Sequence, residues 1–387
     1  MLEKLKRFNY VMFFSMLVLI AIGTIAIHSA GNARTEEVFH NMWVNNLTTA
    51  VFGLAVYLAI AFTNYRKILD FLALPGYVGA IVMLVAVLIF GSTIYGGRRW
   101  LWFFQPSEIS KLAVISLMAW LFGAQSERPR TNFKWFVYSL ALVGLPAALI
   151  LAEPDLGTTL TLIPACLVIL FVAGVWRRGL MTLVLASVIA AGAVLCAVWE
   201  AEKPGVSEQR RAAILKYVPL KAHQIKRVRV FLFPEEDQLG AGYNLRQALI
   251  SIGSGGMTGK GIGKGETNHL KYLPQAISMN DFIFCVWAEE TGFIGSLTLL
   301  LLFGAIVVPG CWTAFFATDV SGRLLAIGVS TLIFAHVYVN IAMSIGLVPI
   351  TGLPLPFISS GRTFLVTVMA ALGLVQSVSV HREENIR

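Results

Sequence analysis

The chain has 387 residues, of which 57% are hydrophobic and 13% are charged, with a formal net charge of +9. Soluble globular domains carry about 25% charged residues, so this chain has too few charges to cover a soluble surface. The composition predicts a protein that crosses a membrane several times and excludes a soluble enzyme or a disordered scaffold. In such a protein a basic excess is typical of cytoplasmic loops and lipid contacts. No basic segment with interleaved aromatic residues indicates nucleic-acid binding.

Ten stretches are apolar enough to cross a membrane as helices, which takes about 20 residues each. In chain order they are 9–29, 43–63, 76–94, 109–124, 133–151, 155–174, 179–199, 284–308, 323–346 and 358–380. They predict an all-α polytopic membrane protein with a single transmembrane domain over residues 1–387. The first stretch lacks a small-residue cleavage site, which favours an anchored helix over a signal peptide.

The short loops predict the orientation of these helices. With the N-terminus in the cytoplasm, most Lys and Arg residues of the short segments fall on the cytoplasmic side, so both termini are predicted to be cytoplasmic. The long polar connection 200–283, between helices seven and eight, then lies outside the cytoplasm. Within it, residues 207–232 mix basic and apolar side chains as interfacial helices do. Pro219 predicts two short helices there rather than one.

Polar residues form four clusters near the predicted outer face, where charged groups are costly and indicate function. The first contains Arg98, Arg99, Glu108 and Lys111, with the last two spaced to pair on one helix face. A capped helix start beside a belt of Arg and Trp explains this cluster equally well.

The second cluster contains Asp155, which lies at a tight turn between two spans. The alternative role of Asp155 is to cap the helix that follows the turn.

The third cluster lies at the end of the long connection. A glycine-rich tract over 253–265 contains Lys260, and such a backbone can approach a phosphate closely. The order of residues is not that of a Walker A motif, and a flexible linker is the alternative. Asp281 lies where the long connection enters the next predicted helix. The alternative to a functional role for Asp281 is that it caps this helix. An N-cap does not explain Glu289 and Glu290 within the same helix.

The fourth cluster is rich in proline and glycine at a predicted membrane boundary. It covers residues 346–362 and predicts a broken or re-entrant segment, which is tolerated only where protein or water surrounds it. Asn340, in the span before it, adds an inward-facing polar group. Arg362 adds a charge at the outer face, where we expect it to reach lipid headgroups.

Five motifs in these clusters follow one another along nearly the whole chain. They are QPSEISKL at 105–112, EPDLGTT at 153–159, GAGYNLRQALISIGSGGMTGKG at 240–261, NDFIFCVWAEETG at 280–292 and GLVPITGLPLPFIS at 346–359. Together they resemble the SEDS family (shape, elongation, division and sporulation), which includes RodA, FtsW and SpoVE. The short ends of the chain and the third motif resemble the RodA branch more than FtsW.

The resemblance implies a peptidoglycan glycosyltransferase with Asp281 as its catalytic residue. Such an enzyme polymerises lipid II, a disaccharide-pentapeptide on undecaprenyl pyrophosphate, at the outer face of the inner membrane, here for cell elongation and shape. The implied partners are a class B penicillin-binding protein, which is a transpeptidase, and membrane lipids. The predicted substrate-binding residues are Arg98, Arg99, Glu108, Lys111, Asp155, Lys260, Glu289, Glu290, Asn340 and Ser359.

Glycosyl transfer needs a base for the acceptor hydroxyl and positive charge beside the departing pyrophosphate. The basic residues among those above supply that charge, or a divalent cation (Mg²⁺ or Mn²⁺) bound with the pyrophosphate supplies it. The chain departs from the family pattern at 274–280, which lacks the usual Glu and His, and at 359–363, where SYGGS is usual. The loop geometry before Asp281 is therefore open.

Three other functions compete with this interpretation. They are a lipid II flippase or other transporter, a division-specific polymerase of the FtsW type, and a non-catalytic scaffold for the penicillin-binding protein. A transporter concentrates ionisable residues near the middle of the membrane, whereas here they lie at the outer ends of the spans. That distribution favours chemistry at the membrane surface.

Overall fold

The computed structural model is almost entirely helical and describes residues 2–32, 41–94, 97–102, 104–124, 132–203, 205–218, 220–237, 240–266 and 278–382. Its elements in chain order are α1 (Leu2–Lys6), α2 (Tyr10–Asn32), α3 (Met42–Phe62), α4 (Tyr65–Phe90), β1 (Ser92–Ile94), β2 (Gly97–Trp100), α5 (Pro106–Ala124), α6 (Phe133–Ala152), α7 (Leu156–Val172), α8 (Arg177–Ala201), α9 (Glu208–Leu215), α10 (Ala222–Leu232), α11 (Ala241–Ser254), α12 (Ile283–Phe315), α13 (Val320–Ser344) and α14 (Arg362–Val380). The two strands form an antiparallel hairpin. The predicted all-α class is confirmed.

Within the described residues, nine helices are long and apolar enough to cross a membrane, and a tenth, α7, has 17 residues. These ten helices match the ten predicted stretches. The predicted start of the third at residue 76 is wrong, because α4 begins at Tyr65. Its first turns carry Arg66 and Asp70, which lower the local hydropathy but find partners. Arg66 pairs with Asp319 at 3.1 Å, and Asp70 accepts a hydrogen bond from Trp120 Nε1 at 2.9 Å.

The centre of the bundle is formed by α5, α13 and α14. Helix α13 packs against α5, α7 and α12, and α14 packs against α3. Most residues of α13 and α14 are buried, whereas α8 is almost entirely exposed, with apolar side chains such as Leu185, Val188 and Ile189 on its surface. Such a surface suits a helix that faces lipid. Helix α8 is therefore peripheral in the bundle.

In its described residues, the long connection between α8 and α12 contains three helices. Two of them, α9 and α10, lie on either side of residue 219, which confirms the prediction of two short helices. The third, α11, was not predicted as a helix from the sequence. It buries Leu245, Ala248 and Ser251 on one face and packs against α12. The connection is thus folded against the ends of the spans on its own side of the bundle.

The proline- and glycine-rich segment between α13 and α14 is non-helical and largely buried. Thr351, Leu355 and Phe357 are each at most 2% exposed, so protein surrounds the backbone as such a segment requires. The predicted broken segment is confirmed. The predicted start of the last span at residue 358 is wrong, because residues before Arg362 belong to this segment.

Candidate active site at one end of the helix bundle

Two carboxylates and two guanidinium groups from four parts of the chain lie together. Asp281 precedes α12, Asp155 begins α7, Arg99 belongs to β2 and Arg227 belongs to α10. Arg99 Nη1 lies 4.0 Å from Asp155 Oδ1, and Arg227 Nη1 donates to the carbonyl oxygen of Thr351 at 3.2 Å. The charges of the other three groups all act on Asp281. We call these four residues the acid–arginine cluster.

Asp281 is a partly exposed residue just before the start of α12. The N-cap position belongs to Phe282, so the alternative of Asp281 as the helix cap is wrong. Its Oδ2 lies close to Gly352, where a Cβ atom would come within 3.3 Å of it. Burial raises the pKa of Asp281 to about 6, against the charges of Arg227 and Arg99, which lower it. At neutral pH this carboxylate is mostly ionised and can accept a proton.

The backbone around Asp281 is held by two buried polar side chains. Asn340 Nδ2 donates to the carbonyl oxygens of Asp281 at 2.9 Å and Leu353 at 2.6 Å. Ser359 Oγ donates to the carbonyl oxygen of Asn280 at 2.6 Å. These bonds fasten the start of α12 to the broken segment. Asn340 and Ser359 therefore position Asp281, and the substrate contacts predicted for them stay predictions.

Asp155 caps α7 and belongs to the acid–arginine cluster at the same time. It accepts hydrogen bonds from the Thr158 amide at 3.1 Å, Thr158 Oγ1 at 2.8 Å and Gln105 Nε2 at 3.0 Å. The predicted alternative role as an N-cap is confirmed. Arg99 donates to the carbonyl oxygen of Pro154 in the same turn. These contacts bring together residues of the first and second polar clusters predicted from the sequence.

Glu153 is a buried acid beside the cluster. Neither of its carboxyl oxygens has a hydrogen-bond partner within the described part of the chain. Burial, and then the charge of Asp155, raise its pKa to about 8, against the charge of Arg99. The folded protein therefore holds Glu153 mostly protonated at neutral pH.

This raised pKa predicts that Glu153→Gln stabilises the protein more at pH 8 than at pH 5. The folded pKa exceeds the ordinary value of 4.5, so the carboxyl group costs stability progressively as pH rises from about 4.5 to about 8. Glutamine imitates the protonated acid and escapes that cost. Thermal unfolding in detergent should give the variant a gain in Tm, relative to the parent, that is about 2 °C larger at pH 8. An equal difference at both pH values contradicts the prediction.

Glu108 and Lys111 lie in the first turns of α5 and are both buried. Lys111 Nζ is 2.8 Å from Glu108 Oε2, which confirms the predicted pairing on one helix face. The same nitrogen is 2.8 Å from His336 Nε2 in α13. The pair is thus engaged inside the bundle, and substrate binding by these two residues stays a prediction.

Lys260 and Glu289 form an ion pair with a separate set of partners. Glu289 accepts from Lys260 Nζ at 2.9 Å, from Ser251 Oγ at 3.1 Å and from the Glu266 amide at 2.9 Å. Glu290, the next residue, accepts from Ser29 Oγ in α2. The hydrogen bond with Glu289 raises the pKa of Lys260. Roles of Lys260, Glu289 and Glu290 in substrate binding stay predictions.

The glycine-rich tract is docked on a break in α12, so the alternative of a flexible linker is wrong. Gly292 has a φ of 68° and interrupts the helix, which leaves carbonyl and amide groups without helical partners. The tract supplies partners for four of these groups. The bonds run from Lys260 N to Glu289 O at 3.0 Å, Gly261 N to Glu290 O at 2.9 Å, Phe293 N to Gly256 O at 2.8 Å and Ile294 N to Met257 O at 3.1 Å.

This docking predicts that Gly259→Ala prevents correct folding while Gly263→Ala is tolerated. Both glycines have positive φ, 80° and 77°, which costs roughly 1–2 kcal/mol for alanine. At Gly259 the added Cβ would also lie 2.1 Å from the carbonyl oxygen of Glu290, whereas at Gly263 it meets nothing within 4 Å. Size-exclusion chromatography of the membrane extract should show a folded peak for Gly263→Ala only. A normal peak for Gly259→Ala contradicts the docking.

Comparison with known proteins identifies the family. Residues 9–384 match the model of the FtsW, RodA and SpoVE family, described as cell cycle protein. The chain belongs to this family. The peptidoglycan glycosyltransferase MrdB of Escherichia coli K12 is 37% identical over 79% of this chain and 77% of its own length. The peptidoglycan glycosyltransferase RodA of Treponema pallidum is 30% identical over 97% of this chain and 98% of its own length.

A solved structure supports the same relationship. The similar chain comes from a peptidoglycan synthase complex, in a structure concerned with the coordination of polymerization and crosslinking. It has a TM-score of 0.77 and 27% identity, and the match covers 98% of this chain and 99% of that one. The family membership thus rests on sequence and on fold.

In this member of the FtsW, RodA and SpoVE family, one residue of the acid–arginine cluster could not be predicted from the sequence. Arg227 lies in the basic stretch recognised as interfacial, but nothing in the spacing shows which of its basic residues turns towards Asp281. Two predictions fall outside the described residues. They concern the side chain of Arg98 and the unusual segment before Asp281, most of which lies within 267–277.

Proposed function

We propose that the chain is a peptidoglycan glycosyltransferase that polymerises lipid II, with Asp281 as its catalytic base. The observation that carries this proposal is the acid–arginine cluster, where Asp281, a partly exposed residue with a pKa of about 6, lies within reach of the charges of Arg99 and Arg227. The relatives named peptidoglycan glycosyltransferase support the class of reaction. The position of the cluster, between the ends of the spans and the folded connection, suits a substrate anchored in the membrane.

The chemistry assigns a separate task to each part of the cluster. The acceptor hydroxyl attacks the sugar carbon that bears the pyrophosphate, and its proton passes to the Asp281 carboxylate. The bond between that carbon and the pyrophosphate oxygen breaks, and its electron pair leaves with undecaprenyl pyrophosphate. The leaving group gains negative charge, which the guanidinium groups of Arg99 and Arg227 neutralise. Asp155 holds Arg99 beside this position.

The residues of the cluster do not suit a divalent cation held by the protein. No group of three or more His, Cys, Asp or Glu side chains in the described ranges is arranged to hold a metal ion. Two guanidinium groups already lie among the carboxylates of the cluster. We keep Mg²⁺ or Mn²⁺ as a proposal only for an ion carried by the pyrophosphate itself, and no step above depends on it.

We further propose a place and a partner for this activity. The protein would reside in the bacterial inner membrane with both termini in the cytoplasm, so that the cluster faces outwards. A class B penicillin-binding protein would cross-link the new glycan, a proposal supported by the similarity to a chain of a peptidoglycan synthase complex. The similarity to MrdB and RodA supports a role in cell elongation rather than division.

The proposal is tested with purified protein in liposomes that contain fluorescent lipid II. The chain is assayed alone and with a class B penicillin-binding protein whose own transpeptidase serine is removed. We expect glycan chains that lengthen with time, in either arm or only with the partner. Lipid II that changes leaflet without polymer formation would instead indicate a flippase, and no reaction in either arm would indicate a scaffold.

A further inference from the structure

A single buried carboxylate joins the end of α8 to the two helices that follow it. Glu202 Oε1 accepts from Arg211 Nη2 of α9 at 2.6 Å, and Glu202 Oε2 lies 3.2 Å from Arg229 Nε of α10. The side chain of Glu202 is only 3% exposed. A buried carboxylate is stable only while its charge is paired. Glu202 therefore depends on both arginines for the pairing of its charge.

Apolar packing between α10 and the end of α8 is incomplete. A cavity of about 430 Å³ lies between the end of α8, α9 and α10, lined by residues such as Leu215, Ile225 and Phe233. Of the residues of α10 whose burial is described, Val230 is the buried one. The ion pairs of Arg229 with Glu202 and with Glu236, at 2.9 Å, bridge the edge of this cavity. Of these two pairs, the one with Glu202 links α10 to the end of α8.

The opposite side of α10 belongs to the acid–arginine cluster. Arg227 precedes Arg229 by two residues, which places the two side chains about 200° apart around the helix. Arg227 reaches the Thr351 carbonyl oxygen in the broken segment, while Arg229 reaches Glu202. Helix α10 is thus tied at one face to the broken segment and at the other to the end of α8.

We propose that Glu202 is a positioning residue for the glycosyl transfer, because it holds Arg229 and thereby keeps Arg227 beside Asp281. The role assigned to Arg227 rests on the proposed function, whereas the attachment of α10 to Glu202 does not. The proposal also gives the outer end of α8 a part in the reaction, although α8 itself is peripheral and carries no residue of the cluster. A shift of that end relative to the bundle would move Arg227.

The test compares Glu202→Gln with Glu200→Gln in the full chain in liposomes. Glu200 pairs with Lys203 at 2.6 Å at the same end of α8, but both side chains are more than a third exposed, so the control removes an equivalent charge without touching α10. We expect Glu202→Gln to increase hydrogen–deuterium exchange in residues 222–232. We expect kcat to fall roughly tenfold, because misplacing a catalytic group by about 1 Å costs up to about a hundredfold. Glu202→Asp should retain more activity than Glu202→Gln.

A second measurement separates positioning from a general loss of stability. The charged groups that face Asp281 are Arg227 from α10, Arg99 from β2 and Asp155 before α7. When Arg227 moves away, the acidic limb of the pH–rate profile should move to higher pH, in the same direction as in Arg227→Gln. Unchanged exchange in residues 222–232 would overturn the proposal, as would lower activity with an unmoved acidic limb. Normal polymerisation by Arg227→Gln would also overturn the proposal, because Glu202 acts through Arg227. Absence of polymerisation by the parent would overturn the proposed function instead, while the exchange data would still report on the attachment.

Discussion

The Asp281→Asn variant is expected to lose lipid II polymerisation by at least about a thousandfold, within the range for removal of a general base. Asparagine has the same size, and the main-chain hydrogen bonds to Asn340 and Ser359 do not require the carboxylate. The variant should therefore fold and insert normally. It lacks the group that accepts the proton of the acceptor hydroxyl, so kcat should fall while lipid II binding is largely retained. A time course of glycan formation measures the effect.

The control for this variant is Glu235→Gln. Glu235 is an exposed carboxylate on the same folded connection that carries Arg227, so its removal changes the local charge by the same amount without touching the cluster. Its rate should match that of the parent. Glycan synthesis at the parental rate by correctly folded Asp281→Asn would contradict the assignment of the base.

The Arg227→Gln variant is expected to polymerise lipid II about a hundredfold more slowly, the lower end of the cost of removing one group that stabilises developing charge. Two effects combine in this variant. The departing pyrophosphate loses a cation, and Asp281 loses a neighbour that lowers its pKa. The acidic limb of the pH–rate profile should therefore move to higher pH, and raising the pH should recover part of the rate.

Arg210→Gln supplies the matched control for the loss of a guanidinium group. Arg210 is exposed on α9 and lies outside the cluster, so both the rate and the acidic limb should remain those of the parent. A hundredfold loss in Arg227→Gln with an unmoved limb would show that Arg227 contacts the substrate without acting on Asp281. A normal rate in Arg227→Gln would remove it from the site.

The ten spans could be predicted because a membrane helix is a long run of apolar residues, a property of adjacent positions in the chain. The same applies to the separation of α9 from α10, which Pro219 predicts, to the cap formed by Asp155 and to the pair of Glu108 with Lys111. Each of these features depends on residues within about one helical turn of each other. The early start of α4 was missed because Arg66 and Asp70 are paired only in the tertiary structure.

The composition of the acid–arginine cluster could be predicted only in part. Motifs reveal Arg99, Asp155 and Asp281 as candidates, but the approach of Arg227 depends on how α10 packs against the broken segment. The docking of the glycine-rich tract depends on the positive φ of Gly292, which leaves open backbone groups at a buried position, where they need partners within the protein. Neither contact leaves a periodic signal in the sequence.

The polar residues at the outer face divide into two sets with different tasks. Asn340, Ser359 and Glu289 bind main-chain or side-chain partners within the protein and hold irregular backbone in place. Asp281 and Arg227 instead lie near each other, and both residues are partly exposed. The scarcity of charge in the chain is therefore compatible with the proposed chemistry, which assigns the catalytic task to these two residues.

The pH dependence of kcat/KM for the parent, Asp155→Asn and Arg227→Gln tests the central claim most directly. The charge of Asp155 raises the pKa of Asp281 and that of Arg227 lowers it. If Asp281 is the base, the parent reaches half of its maximal kcat/KM near pH 6 on the acidic limb. The limb then moves to lower pH in Asp155→Asn and to higher pH in Arg227→Gln. An acidic limb at the same pH in all three proteins would contradict the assignment of Asp281.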